Sequence, residues 1–451
     1  MKKILLALLI VPMAFSVAAR TGDVNGDDEV NISDVNAVIS AILSGANDAD
    51  AAADVNGDGE VNISDVNAVI NIILYGDQQE EVTPKEIELD YSALDEGTEV
   101  IQEDEDALDF GDYVENTSWS TTVRISFDGD QATVTGAPSS VIVETNGAHV
   151  TITSAAKRVR YIVTGETTDG SLKFYSEKKF QLQLDGVDIT NPNGAAVNNQ
   201  CGKSFYLVLN EGTVNTLRDG ENYVMEENED QKAALFSEGQ ILVSGKGTLN
   251  VYSVGKHCMA SDDYIFVRPG CKLYFNSTSG HGIKAKDYVH IKGGVINMEI
   301  AASGAKGINC DSLVYITGGR TTIINTGSTR LETDSLDNTV STTCAGVKAD
   351  YNMVMTGGTL NIKSTGADSK GVNVAQPFAF SGGELNVVCT GKTETVTPKG
   401  VKCDTDLNIS GGSFYSCVPN GKALDIDGTL SIAEGYTSCV NDDVRLVEII
   451  Y

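Results

Sequence analysis

Between Ala234 and Ile432 one ten-residue pattern of apolar and polar positions recurs eight times. The copies begin at Ala234, Cys258, Gly282, Gly307, Gly346, Gly371, Gly400 and Ala423, at steps of 24, 24, 25, 39, 25, 29 and 23 residues. The second column is always apolar: Leu235, Met259, Ile283, Ile308, Val347, Val372, Val401, Leu424. The eighth column, from Ile241 to Leu430, and the tenth, from Val243 to Ile432, are apolar as well. The fourth is small or apolar, from Ser237 through Cys310 and Cys403 to Ile426. Alternation at period two predicts two short half-buried strands in each copy. A turn follows, commonly a glycine pair such as Gly293–Gly294 or Gly357–Gly358, and then a third strand such as VINMEI or TLNIKS. A repeat of this period is the mark of a solenoid. The prediction is an all-β fold, a parallel β-helix with three strands per rung, right-handed because parallel crossovers almost always are. The longer steps predict loop insertions at 329–344 and near 391–398.

Upstream, from about Trp119, segments such as VRISF, HVTIT and RYIVTG alternate in the same way and extend the strands toward the N-terminus. Nearer the start the period changes. Val35–Leu43 and Val66–Leu74 are patterned as short helices, so a small α-helical module precedes the β-helix. Each helix follows a near-copy of one loop, DVNGDDEVNISD from Asp23 and DVNGDGEVNISD from Asp54. Oxygen-bearing side chains fall at loop positions one, three, five, nine and twelve. They are Asp23, Asn25, Asp27, Asn31 and Asp34, then Asp54, Asn56, Asp58, Asn62 and Asp65. Glu29 and Glu60 hold position seven, where the backbone carbonyl is the expected donor. A hard cation needs six to eight oxygens at fixed reach, and this spacing predicts Ca2+ in both loops.

Met1–Ala19 has a basic start, the apolar run Ile4–Val11 and small residues at its end, so it reads as a cleavable signal peptide of a secreted or cell-surface protein. No later stretch is long and apolar enough to span a membrane. The formal charge of −31 argues against nucleic acid and for cations. Residues 78–115 hold fifteen Asp or Glu against one Lys, which reads as a solvated, mostly extended acidic linker. The nine cysteines include no CxxC pair and read as buried free thiols.

Two resemblances rest on these motifs. The paired loops and helices over Gly22–Gly76 resemble a type I dockerin. That resemblance implies a cohesin partner, read mainly at loop positions ten and eleven, here Ile32–Ser33 and Ile63–Ser64. Loop one departs from the pattern, with Asp28 where the sharp turn normally takes Gly. The second resemblance spans about 330 residues. VRISFDGDQATVTG, LDGVDITNPNGAAV, LNEGTVNTLRDG and the GIKAKD rungs, in this order, resemble the calcium-binding, pectate-lyase-like β-helix proteins first described from a cellulolytic clostridium. It implies binding of cellulose and acidic sugar polymers without demonstrated cleavage. Asn215 and Asp219 are candidates for a metal ligand of that family. The expected layout is a signal peptide at 1–19, a dockerin-like module at 20–77, the linker at 78–115 and the carbohydrate-binding β-helix at 116–451.

The outward columns carry the candidate chemistry. The position before each copy includes His281, Lys306, Lys370 and Lys399; the third includes Lys284, Lys348 and Lys402; the fifth includes Lys286, Asp311, Asp350 and Asp404. One reading is a groove for an anionic polysaccharide, with lysines facing sugar carboxylates and aspartates holding bridging calcium. The other is mutual neutralisation of two stacked charged columns. Positions seven and nine give Tyr264, Phe266, Tyr288, His290, Leu313 and Tyr315, a strip on which sugars could stack or over which the acidic linker or the 123–165 strands could lie as a cover; the cover is preferred, since exposed apolar strips are usually occupied. No motif fixes an Arg or Lys base beside a carboxylate cluster, so a non-catalytic role is favoured over a polysaccharide lyase. An adhesin or purely structural solenoid is the remaining alternative.

Overall fold

The computed structural model describes residues 21–450 except 28, 45–51, 57–58, 76–82, 228, 334–338, 393–396, 434–436 and 441–444. The chain divides into two units, 1–81 and 82–451. The signal-peptide segment and Asp58 lie outside the described residues.

In the first unit, helices α1 (Ile32–Ser44) and α2 (Ile63–Tyr75) pack through Val35, Val38, Val66 and Val69, which are all buried. These positions are three or four residues apart, so each helix offers one apolar stripe to the other.

The second unit is a β-solenoid of about 11 turns. Its strands form a 12-stranded sheet and a 20-stranded sheet that bends to make two faces. Thr248–Ser253 and Lys272–Ser277 show the strand logic, with every second residue buried. Neighbouring turns pair in parallel with the register the repeat predicts. Leu235 sits opposite Met259, Met259 opposite Ile283, and the column continues through Ile308, Val347, Val372 and Val401 to Leu424. The eighth and tenth columns stack likewise, from Ile241 and Val243 to Leu430 and Ile432. One hydrophobic core therefore runs from Val123 to Ile449. Its early turns are filled by Tyr161, Phe174, Phe180 and Phe205, with ring centroids 4.8–5.6 Å apart. Eight of the nine cysteines are described as free and buried, as expected of packing residues.

The glycine pairs make the bend between the second and third faces. The second glycine of each pair has φ of 75–87° at Gly294, Gly319, Gly358, Gly383 and Gly412. The first has no room for a side chain: a Cβ on Gly318 would lie 2.3 Å from the Lys292 carbonyl oxygen. Only glycine suits both demands. Of the two expected insertions, 329–344 contains a hairpin in which Arg330–Thr333 pairs antiparallel with Thr339–Thr342. The other is only partly within the described residues.

Residues 83–119 differ from the solvated linker that their composition suggests. They are mostly extended, with single 3-10 turns at Phe110–Asp112 and Val114–Asn116, and they lie along the solenoid as a strap running from its late turns back to its early ones. Ile87 is buried against Val388, Tyr415 and Cys417. Asp90 exchanges two hydrogen bonds with the Asn297 amide and pairs with Arg320. The Glu96 carboxylate accepts the N–H of Gly270 at 2.8 Å and of Gly294 at 2.7 Å. Glu99 and Glu115 flank Arg268, and Trp119 meets Tyr206 edge-on at 5.5 Å. The strap's acidity is thus partly matched to basic side chains and turn N–H groups on the solenoid, which a count of charges in the segment alone does not reveal.

The strap also answers the question of the aromatic strip. Tyr264 stacks on Tyr288 at 4.2 Å, Phe266 on His290 at 4.9 Å, and His290 on Tyr315 at 4.6 Å. Tyr113 of the strap packs on Phe266 at 6.0 Å, and Asp112 accepts a hydrogen bond from Tyr264. The early part of the strip is therefore covered by the chain's own strap.

Candidate functional site

The first predicted site lies in the small unit. Ligand atoms of Asp23, Asp27 and Asp34 all come within 4.8 Å of one another. The loop is folded by its own carboxylates. Asp23 accepts the N–H of Gly26 and Asp27, and Asp27 accepts that of Glu29. Asp34, in the first turn of α1, is fully buried, and its oxygens take the N–H of Val24, Asn25 and Asn31 at 2.8–3.0 Å. Asn31 caps the helix by accepting the Ser33 N–H at 2.8 Å. The second loop repeats the scheme. Asp65 is buried and takes the N–H of Val55, Asn56 and Asn62, and Asn62 accepts from Ser64. Asp54 accepts the N–H of Gly59, whose φ of +87° supplies the sharp turn. Glu29 and Glu60 are exposed. The donors are all oxygens and three carboxylates converge, so the first loop fits a hard divalent cation.

The second predicted site is the charged face of the 12-stranded sheet. Its third column is a true ladder: Lys284 is opposite Asn309, Asn309 opposite Lys348, Lys348 opposite Asn373, Asn373 opposite Lys402 and Lys402 opposite Asp425. The lysines are engaged with aspartates. Lys284 pairs with Asp311, Lys348 with Asp350 at 2.6 Å, and Lys402 with Asp404 at 2.7 Å and Asp427 at 3.2 Å. Lys399 pairs with Asp425. Burial works against the charge on Lys402, but the bonds to Asp404 and Asp427 outweigh it and raise its pKa. The neutralisation reading thus describes the geometry of these residues. Lys286 is exposed.

Three members of the set are not the solvent-facing groups that their column suggests. Lys306 is only 5% exposed, and its Nζ donates to the Gly304 carbonyl at 2.8 Å. Burial, reinforced by the charge of Lys348, lowers its pKa to about 8. Lys370 is half-buried, and burial lowers its pKa too. His281 stacks on His257 at 4.5 Å, and its Nδ1 accepts the N–H of Lys306 at 3.0 Å. Burial and the neighbouring His257 push its pKa well below the usual histidine value.

Residues 146–443 match the family described as carbohydrate-binding domain-containing protein. The chain belongs to this family. Residues 21–74 match the Dockerin type I domain, over the loops and helices described above. A carbohydrate-binding domain-containing protein of Acetivibrio thermocellus is 34% identical over 95 residues, which are 20% of this chain and 33% of that protein. The chain thus spans about a third of the length of that curated relative. A polysaccharide lyase-like protein from C. thermocellum, solved as a gadolinium derivative, is 21% identical; the similarity covers 70% of this chain and 98% of that one, with a TM-score of 0.40.

Within the family's stretch, Asn215 and Asp219 are structural. The Asn215 side chain accepts from Gly186 and Val187 and donates to Thr213 and Thr248. Asp219 takes Tyr223, Ser253 and the N–H groups of Val254 and Lys256. Both are buried, and their polar atoms tie turns together rather than facing a ligand. Among the described residues, three metal-competent groups converge only at Asp23, Asp27 and Asp34. The aromatic strip pointed to the acidic segment as one possible cover, but the strap's other partners, Arg268, Asn297 and the glycine turns, were missed in the sequence. The available signals were Ile87, Tyr113 and Trp119, apolar groups set in or beside an acidic stretch.

Proposed function

We propose that this is a secreted, calcium-dependent, non-catalytic polysaccharide-binding protein that attaches to a cohesin through its N-terminal module. Family membership over 146–443 carries the reading. The arrangement of charge supports binding over cleavage. A β-helix lyase needs a carboxylate cluster for calcium and a poised base. Asp311, Asp350 and Asp404 of the charged face are instead each paired with a lysine. In the N-terminal module, Asp23, Asn25, Asp27, Asn31 and Asp34 would hold one Ca2+, with the Glu29 carbonyl as a further donor. Asp54, Asn56, Asp58, Glu60, Asn62 and Asp65 would hold a second in the same way. A bound ion there would screen the carboxylates and fix the loops against α1 and α2.

Cohesin attachment is supported by two side chains. Ile32 and Ile63 are 65% and 66% exposed at equivalent positions of the two copies, each followed by a serine. An exposed β-branched residue duplicated in this way offers two equivalent apolar contacts to a partner. The test is native electrophoresis of the full chain through gels containing polygalacturonate or a soluble cellulose derivative, with and without EDTA. Retardation by at least one polymer, without release of unsaturated uronate products, is the expected result. Free migration in every gel would overturn the binding reading, and release of unsaturated products would make the protein a lyase.

A further inference from the structure

The early turns of the solenoid carry a concentration of positive charge that the sequence columns did not include. A cleft of about 860 Å³ opens where the end of the strap, Glu115–Ser118, meets the corners of the first turns. Its walls include Lys157, Arg158, Lys178, Lys179 and Lys203, against the carboxylates Glu115 and Glu177. Glu115 is already committed to Arg268 at 2.8 Å, and Glu177 lies 3.9 Å from Lys178. In a chain of charge −31, five cations around one cleft oppose the overall field.

The cations are ordered by the fold. Arg160 pairs with Gln181 and Phe180 with Phe205, so the strands starting at Val159, Phe180 and Phe205 are aligned. Lys157, Lys178 and Lys203 each stand two residues before one of these starts, at the same corner of three successive turns. Successive turns are about 4.8 Å apart, close to the length of one pyranose unit. Arg158 and Lys179 follow in the next column. Arg158 has φ of +61°, a conformation costly for any residue but glycine. Its carbonyl accepts the N–H of Ser120 and Thr121, which holds the strap's end beside it. On the next turns the corner becomes acidic, with Gln240 donating to Asp263 and Asp287 beyond. The basic run is therefore confined to the first three turns. Asn116, Thr117, Ser118, Ser204 and Gln240 also line the cleft and offer neutral hydrogen-bonding groups suited to sugar hydroxyls.

We propose that this corner cleft is a binding site for a uronate polysaccharide, with Lys157, Lys178 and Lys203 facing carboxylates on successive sugar units. The proposal rests on the polysaccharide-binding reading and gives it a place and a charge preference. A repeating carboxylate matches a repeating lysine, and cations presented on a rigid scaffold attract it through the surrounding negative field.

The experiment compares the full-length protein with its K157E/K178E/K203E variant. Each is run in gels containing polygalacturonate, a neutral cellulose derivative, or polyphosphate. Lys157 and Lys203 are exposed and Lys178 is half-buried, so thermal unfolding of the variant provides the folding control, and a K157E/K203E variant serves if it is unstable. The expected result is a loss of affinity for polygalacturonate of roughly tenfold or more, with migration in the neutral polymer unchanged. Added salt should also weaken wild-type binding to polygalacturonate. Unchanged polygalacturonate affinity in the folded variant would overturn the site. So would equal wild-type retardation by polyphosphate, which would make it a general anion patch. If the wild type binds the neutral polymer and not polygalacturonate, this inference fails while the proposed function stands. Binding to neither defeats both.

Discussion

The Arg268 guanidinium grips the Glu99 carboxylate, with Nη2 2.9 Å from Oε2 and Nε 3.2 Å from Oε1, although 169 residues separate them. Glu115 completes the clamp at 2.8 Å, and the guanidinium lies over the Tyr113 ring at 4.7 Å. Arg268 is 3% exposed. Burial disfavours its charge, but the bonds to Glu99 and Glu115 more than restore it. One residue of the solenoid thus holds the strap at two points.

Arg268→Ala should therefore release the strap. Removing Arg268 leaves Glu99 with Lys292 at 3.4 Å and frees the half-exposed Glu115, so the cost falls below the about 3–5 kcal/mol of breaking a fully buried pair. Hydrogen exchange of residues 96–115 in the variant should accelerate strongly, while the later turns remain protected. Uniform protection would show that the clamp is not what holds the strap.

Strap docking should also depend on pH. Burial raises the pKa of Asp112 to about 6, partly offset by the Tyr264 hydrogen bond, with Asp109 and Asp263 adding to the rise and Lys179 opposing it. A carboxyl raised above its unfolded value of 3.8 favours folding at low pH, and this contribution is lost as pH rises through about 6. With the intrinsic pH dependence of amide exchange divided out, protection of residues 110–114 should rise between pH 7 and pH 5. Asp112→Asn should flatten that change; an unaltered pH profile in the variant would assign it to other groups.

The stacked histidines should act in the opposite sense. Burial, with nearby lysines, lowers the His257 pKa to about 4, and His281 is lower than usual for the same first reason. Each Nδ1 accepts the N–H of the next turn at 3.0 Å, which protonation would abolish. A histidine held below its unfolded value of 6.5 contributes stability that is present above that pH and lost as pH falls toward about 4. The melting temperature of the solenoid should fall across this window. In His257→Asn, whose side-chain oxygen can still accept, the fall should be smaller. An equal fall would remove the histidines as its cause.

Much of this architecture is written locally in the chain. Burying one side of each strand forces the alternation of Leu235, Ser237, Ile241 and Val243, and stacking repeats it at each turn. The charged columns were legible for the same reason. Their pairing was not, because whether Lys402 faces solvent or Asp404 depends on rotamers rather than on period. The acidic segment was one of two covers that the aromatic strip suggested, but its anchors were illegible for a different reason. Glu96 binds the N–H groups of two glycine turns and Glu99 binds an arginine, and neither partner leaves a trace in the segment's own composition. The basic corner was missed because Lys157, Lys178 and Lys203 lie in turns upstream of the repeated phrase, where spacing is irregular.

The two halves of the N-terminal module should separate by mutation. Asp34→Ala removes a proposed calcium ligand and leaves three part-buried backbone N–H groups without their acceptor, each costing up to about 1–3 kcal/mol. It should unfold the module even in calcium, as followed by helical circular dichroism. Asp27→Ala lies at the exposed rim and should weaken calcium binding while leaving the calcium-saturated module helical. Equal behaviour of the two variants would refute the division between folding and ligation.

The central claim is that the full chain binds a polysaccharide without cutting it. Co-sedimentation with insoluble polygalacturonate and with cellulose in calcium, combined with analysis of the supernatant for released sugars, addresses it most directly. Protein in the pellet with at least one polymer, and no oligosaccharide in solution, is the expected result. Protein left wholly in the supernatant, or oligosaccharides released from the polymer, would contradict it.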